Sequence, residues 1–131
     1  MNRIIPHIFI ENCKEAISFY HDIFGGEIRN IQLSDGIEMF KGQEGKYIHA
    51  ELHINERSVL YFADVFGETV KGSNIWLSLD IESEKELNNT YQALLKEGMV
   101  KQKLKETFWG AIYAVITDKY GLTWELNCTK Q

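Results

Sequence analysis

Proline is almost missing from this chain. Pro6 is its one example in 131 residues, so no proline-rich linker divides the sequence. Cysteine is nearly as scarce. Cys13 and Cys128 lie at opposite ends and form no C-x-x-C pair, which points to free thiols in a reducing compartment. Cys13 falls at a helix start, where a thiolate is favoured, but a buried filler is the simpler reading. No run approaches the ~18 apolar residues of a membrane span. The stretch Met1-Asn2-Arg3-Ile4-Ile5-Pro6-His7 lacks the apolar core and small-residue cleavage site of a secretory leader. The expected location is therefore the cytoplasm, with no membrane partner. A basic cluster is missing too: net charge is −5 and the isoelectric point is near 5.4, so nucleic acid is not an expected partner. Nor is there a glycine-rich strand-to-helix turn of the kind that cradles a nucleotide-like cofactor.

What remains is globular. The hydrophobic share of 44% and charged share of 25% exclude disorder, and a chain of this length buries a core without staples. The reading is a single domain over 1–131. Its anchor is Tyr47-Ile48-His49-Ala50-Glu51-Leu52-His53-Ile54, which alternates strictly. A strand sends successive side chains to opposite faces. Ile48, Ala50, Leu52 and Ile54 thus form an apolar face that helices should cover, while Tyr47, His49, Glu51 and His53 form an ionisable one.

Around this strand the pattern repeats. Ile4 to Ile10 reads as a strand, with Ile4, Ile8 and Ile10 on one face and Ile5, His7 and Phe9 on the other. Asn12 with Glu15 reads as a capping box, Ala16, Ile17, Tyr20, Ile23 and Phe24 follow a helical period, and Gly25-Gly26 ends the helix. Glu27 to Leu33 is extended. Ser34 to Lys46 is loop-prone, with a short strand expected near Met39, and Ser58 to Asp64 is β-rich. Residues 66–73 form a candidate linker. Asn74 to Ile81 is then a strand, Ser83 with Glu86 caps a helix, Leu87, Tyr91, Leu94 and Leu95 form its stripe, and Gly98 ends it. Met99 to Lys105, Ala111 to Thr117 and Leu122 to Cys128 give three more strands. The halves match at an offset of about 71 positions: Ile8 with Leu79, Tyr20 with Tyr91, Phe24 with Leu95 and, after one slip, Gly26 with Gly98. This is a duplication rather than a solenoid, with module 1 at about 1–66 and module 2 at about 73–131. One helix covers one face of each half-sheet, and two half-sheets turned together would form a cup. A ferredoxin-like fold would need only two strands between the helices, and the pattern supplies four.

The ionisable face reads as a pocket lining or as solvated surface. Residues two apart on a strand are separated by roughly 6.5–7 Å and those four apart by roughly 13 Å. His49 and Glu51, or Glu51 and His53, can therefore converge, whereas His49 and His53 can hardly share one metal ion. A histidine beside a carboxylate suits general-base chemistry, with Trp76, Phe9 and Tyr61 as candidates for low-dielectric surroundings. Trp124 reads as core, Trp109 as core or pocket rim, and Glu125 as a polar inner-face residue.

Glu15-Ala16-Ile17-x-Phe19-Tyr20 followed by Phe24-Gly25-Gly26-Glu27 resembles the first module of the vicinal oxygen chelate superfamily. That superfamily spans glyoxalase I, bleomycin-resistance proteins and extradiol dioxygenases. His49-Ala50-Glu51-Leu52, Phe108-Trp109-Gly110 and Asp118-Lys119-Tyr120-Gly121-x-x-Trp124 are similar to its PhnB-like branch. The resemblance implies an α+β fold of two tandem βαβββ modules in a homodimer, with a concave sheet surface as the site. Metal-using relatives place a ligand on the first and last strand of each module. Carried over by position, these become Ile5 or His7, the neighbourhood of Leu60 and Tyr61, Asn74 (where relatives have His) and Glu125, which alone fits clearly. With one clear match in four positions the cofactor stays open: a divalent metal held in part by Glu125, or none.

Two functions stay open. One is an enzyme on a small polar metabolite, with His49 and Glu51 moving a proton and His7, His53 and Asn74 lining the pocket. The other is a binder that sequesters a small-molecule ligand on Tyr61, Trp76 and Trp109.

Overall fold

Two twelve-residue helices, α1 (Cys13–Phe24) and α2 (Glu84–Leu95), keep the step anticipated between the halves. Each follows a short strand and precedes three longer ones. The structure, a computed structural model, describes residues 1–68 and 71–129; within the expected linker, Thr69 and Val70 lie outside the described residues. The chain divides into two units, Met1–Thr69 and Val70–Gln131.

In the first unit β1 (His7–Ile10), β2 (Glu27–Leu33), β3 (Tyr47–His53) and β4 (Val59–Asp64) form a sheet of order β1-β4-β3-β2. β1 runs parallel to β4, and the other pairs are antiparallel. α1 lies on one face. Ala16, Ile17 and Tyr20 from the helix, with Ala50, Leu52 and Phe62 from the sheet, are fully buried there, and Tyr20 stacks on Phe62 at 5.6 Å. Burying each large side chain contributes about 1.5–3 kcal/mol. Ala50 and Leu52 thus take the helix-covered side that alternation assigned them.

The second unit repeats this design. β5 (Leu77–Asp80), β6 (Met99–Glu106), β7 (Ala111–Thr117) and β8 (Thr123–Thr129) follow the order β5-β8-β7-β6, again with the first and last strands parallel. Leu87 and Leu94 of α2 are buried with Ala114, Ile116, Trp124 and Leu126. The fold is the α+β tandem βαβββ arrangement expected from the sequence.

Some local expectations change. β1 begins at His7 and β5 at Leu77, so Ile4, Ile5 and Asn74 precede the strands they were assigned to. The region of Met39 is a 3-10 turn, Glu38–Phe40. Asn12 does not cap α1: it is left-handed (φ 58°) and donates to Glu15 instead, at 2.8 Å. The cap comes from β4. Asp64 accepts from the Cys13 N–H at 3.0 Å and from the Tyr47 N–H at 2.7 Å, satisfying donors that would otherwise be orphaned in a buried place. Ser83 caps α2 as read, accepting from the Glu86 N–H at 3.1 Å.

Candidate functional site

The sheet face turned away from α1 gathers five expected residues into one cluster. Parallel pairing sets His7 of β1 beside Tyr61 of β4, and antiparallel pairing sets Tyr61 beside Glu51 of β3. His49 and His53 flank Glu51 two residues away on either side, so all three side chains share a face. Their rings lean inward. His49 Nε2 lies 2.7 Å from Glu51 Oε2, and His53 Nε2 lies 2.7 Å from Glu51 Oε1. The two histidines thus meet at one carboxylate, a convergence that spacing alone did not show.

A third donor comes from β2. The Asn30 side-chain N–H donates to Glu51 Oε1 at 3.1 Å. Asn30 is left-handed (φ 54°), and the β2–β3 register shifts between Arg29 and Gln32. Such a bulge re-aims a side chain, and Asn tolerates this backbone better than most residues. Sequence reading missed Asn30, because a bulge inside an extended run has no periodic signal.

Glu51 is buried, and burial alone would raise its pKa. Hydrogen bonds from His49, His53 and Asn30, with the His49 charge, outweigh that and bring it down to about 2. An ionised carboxylate only accepts, so each imidazole must present Nε2–H to it. In the neutral rings Nδ1 then carries the lone pair. His49 is further set by the Tyr61 ring at 4.8 Å and the His7 ring at 5.8 Å, both edge-on. Burial, then the His49 charge, lowers the His7 pKa and so favours its neutral form. Tyr47 departs from the expected row: it is buried, and its raised pKa comes from burial and then from Cys13 and Asp64. Cys13 itself is buried, with its thiol pushed up to about 12 by burial and Asp64, which makes it a packing residue rather than a nucleophile.

The remaining expected residues lie in the second unit. Tyr113 donates to Glu125 Oε2 at 2.6 Å; burial and this carboxylate push the phenol up to about 12. Tyr113, Glu125 and Trp109, with Ser78, Asp80 and Asn127, line a cavity of about 630 Å³. Trp109, on the β6–β7 turn, is 54% exposed, so it is rim rather than core. Trp76 donates to the Ser73 carbonyl at 3.1 Å and sits under the Lys101 ammonium at 5.4 Å. Asn74 is exposed. Tyr113 had not been singled out, because an aromatic in an apolar strand reads as core.

This duplicated geometry agrees with comparison against known proteins. The profile of the Glyoxalase/Bleomycin resistance protein/Dioxygenase superfamily matches residues 2–126. The chain belongs to that superfamily. Among superfamily-like relatives, protein YjdN of Escherichia coli K12 is 26% identical, over 94% of this chain and 92% of its own. The crystal structure of PA1353 from Pseudomonas aeruginosa superposes with a TM-score of 0.89 at 28% identity, covering 100% of both chains. The PhnB protein from Bacillus cereus shares the fold, with a TM-score of 0.85 at 24% identity over 98% of this chain and 100% of that one.

Metal-using superfamily members need several ligands on one ion. Among the described residues no three His, Cys, Asp or Glu side chains come together as a metal ion requires. Both Glu51 oxygens accept from side chains of this chain, and Tyr113 occupies one oxygen of Glu125. The described residues do not fit a resident divalent ion. Among the described residues no helix is long and apolar enough to cross a membrane.

Proposed function

We propose that this chain is a cytoplasmic enzyme, working as a homodimer, that moves a proton on a small polar metabolite bound over the first sheet. The observation that carries this reading is the Glu51 carboxylate clasped by two imidazoles at 2.7 Å each. His49 is the base. Its Nε2–H is held by Glu51, which fixes the tautomer, orients the ring and stabilises the imidazolium formed when Nδ1 takes a proton. Glu51 is a positioning residue, and Asn30 and His53 keep it ionised. Tyr61 and His7 form the wall against which the substrate lies, with Tyr61 able to donate from its phenol and His7 to accept while neutral.

The test is hydrogen exchange. The protein is incubated in D₂O with a panel of small carbonyl acids and hydroxyketones, and loss of the substrate C–H signal is followed by proton NMR. Exchange on at least one compound, lost in His49→Gln and reduced at least tenfold in Glu51→Gln, supports the reading. Exchange that survives His49→Gln, or none across the panel with folded protein, ends it. Light scattering at the mass of two chains checks the assembly. The competing reading, a ligand-sequestering protein, is favoured by the exposed Trp109 beside Tyr113 (5.8 Å), and it predicts tight binding unaffected by His49→Gln.

A further inference from the structure

The cavity of the second unit has a chemistry unlike that of the imidazole cluster, and it stands on its own observations. Asp80 and Glu125 bring two carboxylates to its lining, and among the described residues no lysine, arginine or histidine lines it. The charged groups of the lining are thus acidic, and Lys105 of β6, in register with Tyr113, is not among the lining residues. Glu125 Oε2 accepts from Tyr113, while Oε1 has no partner among the described residues. One carboxylate oxygen is thus held in place and the other is left to accept. Parallel pairing sets Ser78 beside Glu125 and Asp80 beside Asn127, so the two carboxylates lie diagonally on neighbouring strands of the same face.

The other wall is aromatic. Trp109 meets Tyr113 at 5.8 Å and 73°, and Phe108 at 4.9 Å and 89°. Edge-on contacts of this kind restrict the indole while leaving it half exposed. Tryptophan is the strongest of the aromatic rings in attracting a cation. At about 630 Å³, the space suits a metabolite-sized body, far larger than a lone ion. The remaining lining groups are hydroxyls and amides, too few carboxylates for a hard divalent cation.

We propose that this cavity binds a protonated organic amine, its ammonium N–H donating to Glu125 Oε1 and its planar or apolar body lying against Trp109. Asp80 supplies the second negative charge. Because Oε1 needs a hydrogen, an ammonium bearing N–H is preferred over a quaternary one.

The test is calorimetric titration of the full chain with three indoles that share a body and differ in charge: tryptamine, tryptophol and indole-3-acetate. Tryptamine is expected to bind at least tenfold tighter than neutral tryptophol, with indole-3-acetate weakest; a tenfold ratio corresponds to about 1.4 kcal/mol. Glu125→Gln keeps an oxygen for Tyr113 and should weaken tryptamine about tenfold while sparing tryptophol. Asp80→Asn, at an exposed position, should weaken tryptamine in the same direction without any folding defect. N,N,N-trimethyltryptamine should bind less tightly than tryptamine. Equal binding of tryptamine and tryptophol, tryptamine binding unchanged in Glu125→Gln, or no heat from any of the three overturns the proposal. Glu51→Gln should bind tryptamine as the parent does; loss of binding there would place the ammonium in the first unit and also overturn it. That control separates this inference from the proton-transfer reading, which Glu51→Gln must weaken.

Discussion

The two sheets are the same frame carrying different chemistry. Ala50 pairs with Phe62 in the first unit as Ala114 pairs with Leu126 in the second, and all four are fully buried against a helix. One residue further along the central strand, Glu51 pairs with Tyr61 where Val115 pairs with Glu125. The carboxylate has moved one strand over. At the level of His49 the second unit has Tyr113, and beside Glu125 it has Ser78 where the first unit sets His7 beside Tyr61. Packing against a helix tolerates little change in shape, while the other face answers only to what it meets. Duplication therefore preserved the covered face and left the opposite faces to diverge, one to imidazole and carboxylate, the other to carboxylate and aromatic.

The frame itself can be broken most severely at the two matched glycines. Gly26 is left-handed (φ 85°), and a Cβ there would run into the His53 carbonyl; at Gly98 it would meet the Thr117 carbonyl. Each marks the same crossing, a helix exit passing over the end of the central strand. Gly26→Ala carries both the backbone penalty and the clash and should cost about 3 kcal/mol or more. Gly98→Ala carries the clash alone, at about 1–3 kcal/mol. Denaturant midpoints measure both. A larger loss for Gly98→Ala would mean that the two crossings are not equivalent.

Next in size is the loss of each carboxylate's partners. Glu51→Ala leaves two half-buried imidazole N–H groups without an acceptor and should destabilise the chain by about 2–3 kcal/mol. Tyr113→Phe removes one hydrogen bond to Glu125 and should cost about 1 kcal/mol. Equal losses would show that the imidazole clasp is worth no more than a single phenol bond, and the first site would lose its claim to be the more specialised of the two.

Much of this was legible in the chain. Alternation over 47–54 assigned Ala50 and Leu52 to the helix side and His49, Glu51 and His53 together to the other, because period two admits only that partition. Ser83 three residues before Glu86 marked the start of α2. The start of α1 was readable as a position, since the helix begins at Cys13 directly after Asn12, but the group that caps it was not. Its cap is Asp64, separated from Cys13 by most of the unit, and nothing in local spacing links a strand-end aspartate to a distant helix. The left-handed Asn12 looked like a cap for the same reason. Asn30 and Tyr113 were hidden differently: one depends on a bulge and the other on a partner twelve residues away, and neither leaves a trace in hydrophobic period.

The units also differ in which pH limit they feel. Glu51 has its folded pKa depressed from 4.5 to about 2. Its stabilisation is fully present above about 4.5 and is lost as pH falls toward 2, since the unfolded chain takes up the proton first. Tyr113 is raised from 10.0 to about 12. Its contribution is present below 10 and is lost as pH rises toward 12. Cys13 and Tyr47 in the first unit are raised as well, so both units share the alkaline limb, while the acid limb belongs to the first unit, to Glu51 below about 4.5 and to His7, whose pKa is lowered, as pH falls below 6.5. Denaturant midpoints across pH should show Glu51→Gln flattening the acid limb below about pH 4.5 and leaving the alkaline limb unchanged. Tyr113→Phe should reduce the alkaline limb and leave the acid one unchanged.

The smallest effect is the most discriminating. Asn30 combines one hydrogen bond to Glu51 (3.1 Å) with a left-handed backbone that glycine adopts freely, asparagine at some strain and alanine at more. Asn30→Gly loses about 1 kcal/mol of hydrogen bond and recovers about as much strain, so stability should stay within about 0.5 kcal/mol of the parent. Asn30→Ala loses the bond and adds to the strain, and should cost about 1–2 kcal/mol or more. Both variants remove the same donor from the carboxylate, so a carbon-13 NMR titration should show the Glu51 pKa rising equally in the two. A Glu51 pKa that rises without a stability change in the glycine variant would show that Asn30 tunes the charge of the site and does not hold the sheet together. A pKa that stays near 2 in both would assign the depression to the two imidazoles alone, and would make the β2 bulge a feature of the frame that the second unit's outer strand, with its own register shift at Gln102, should then share without cost.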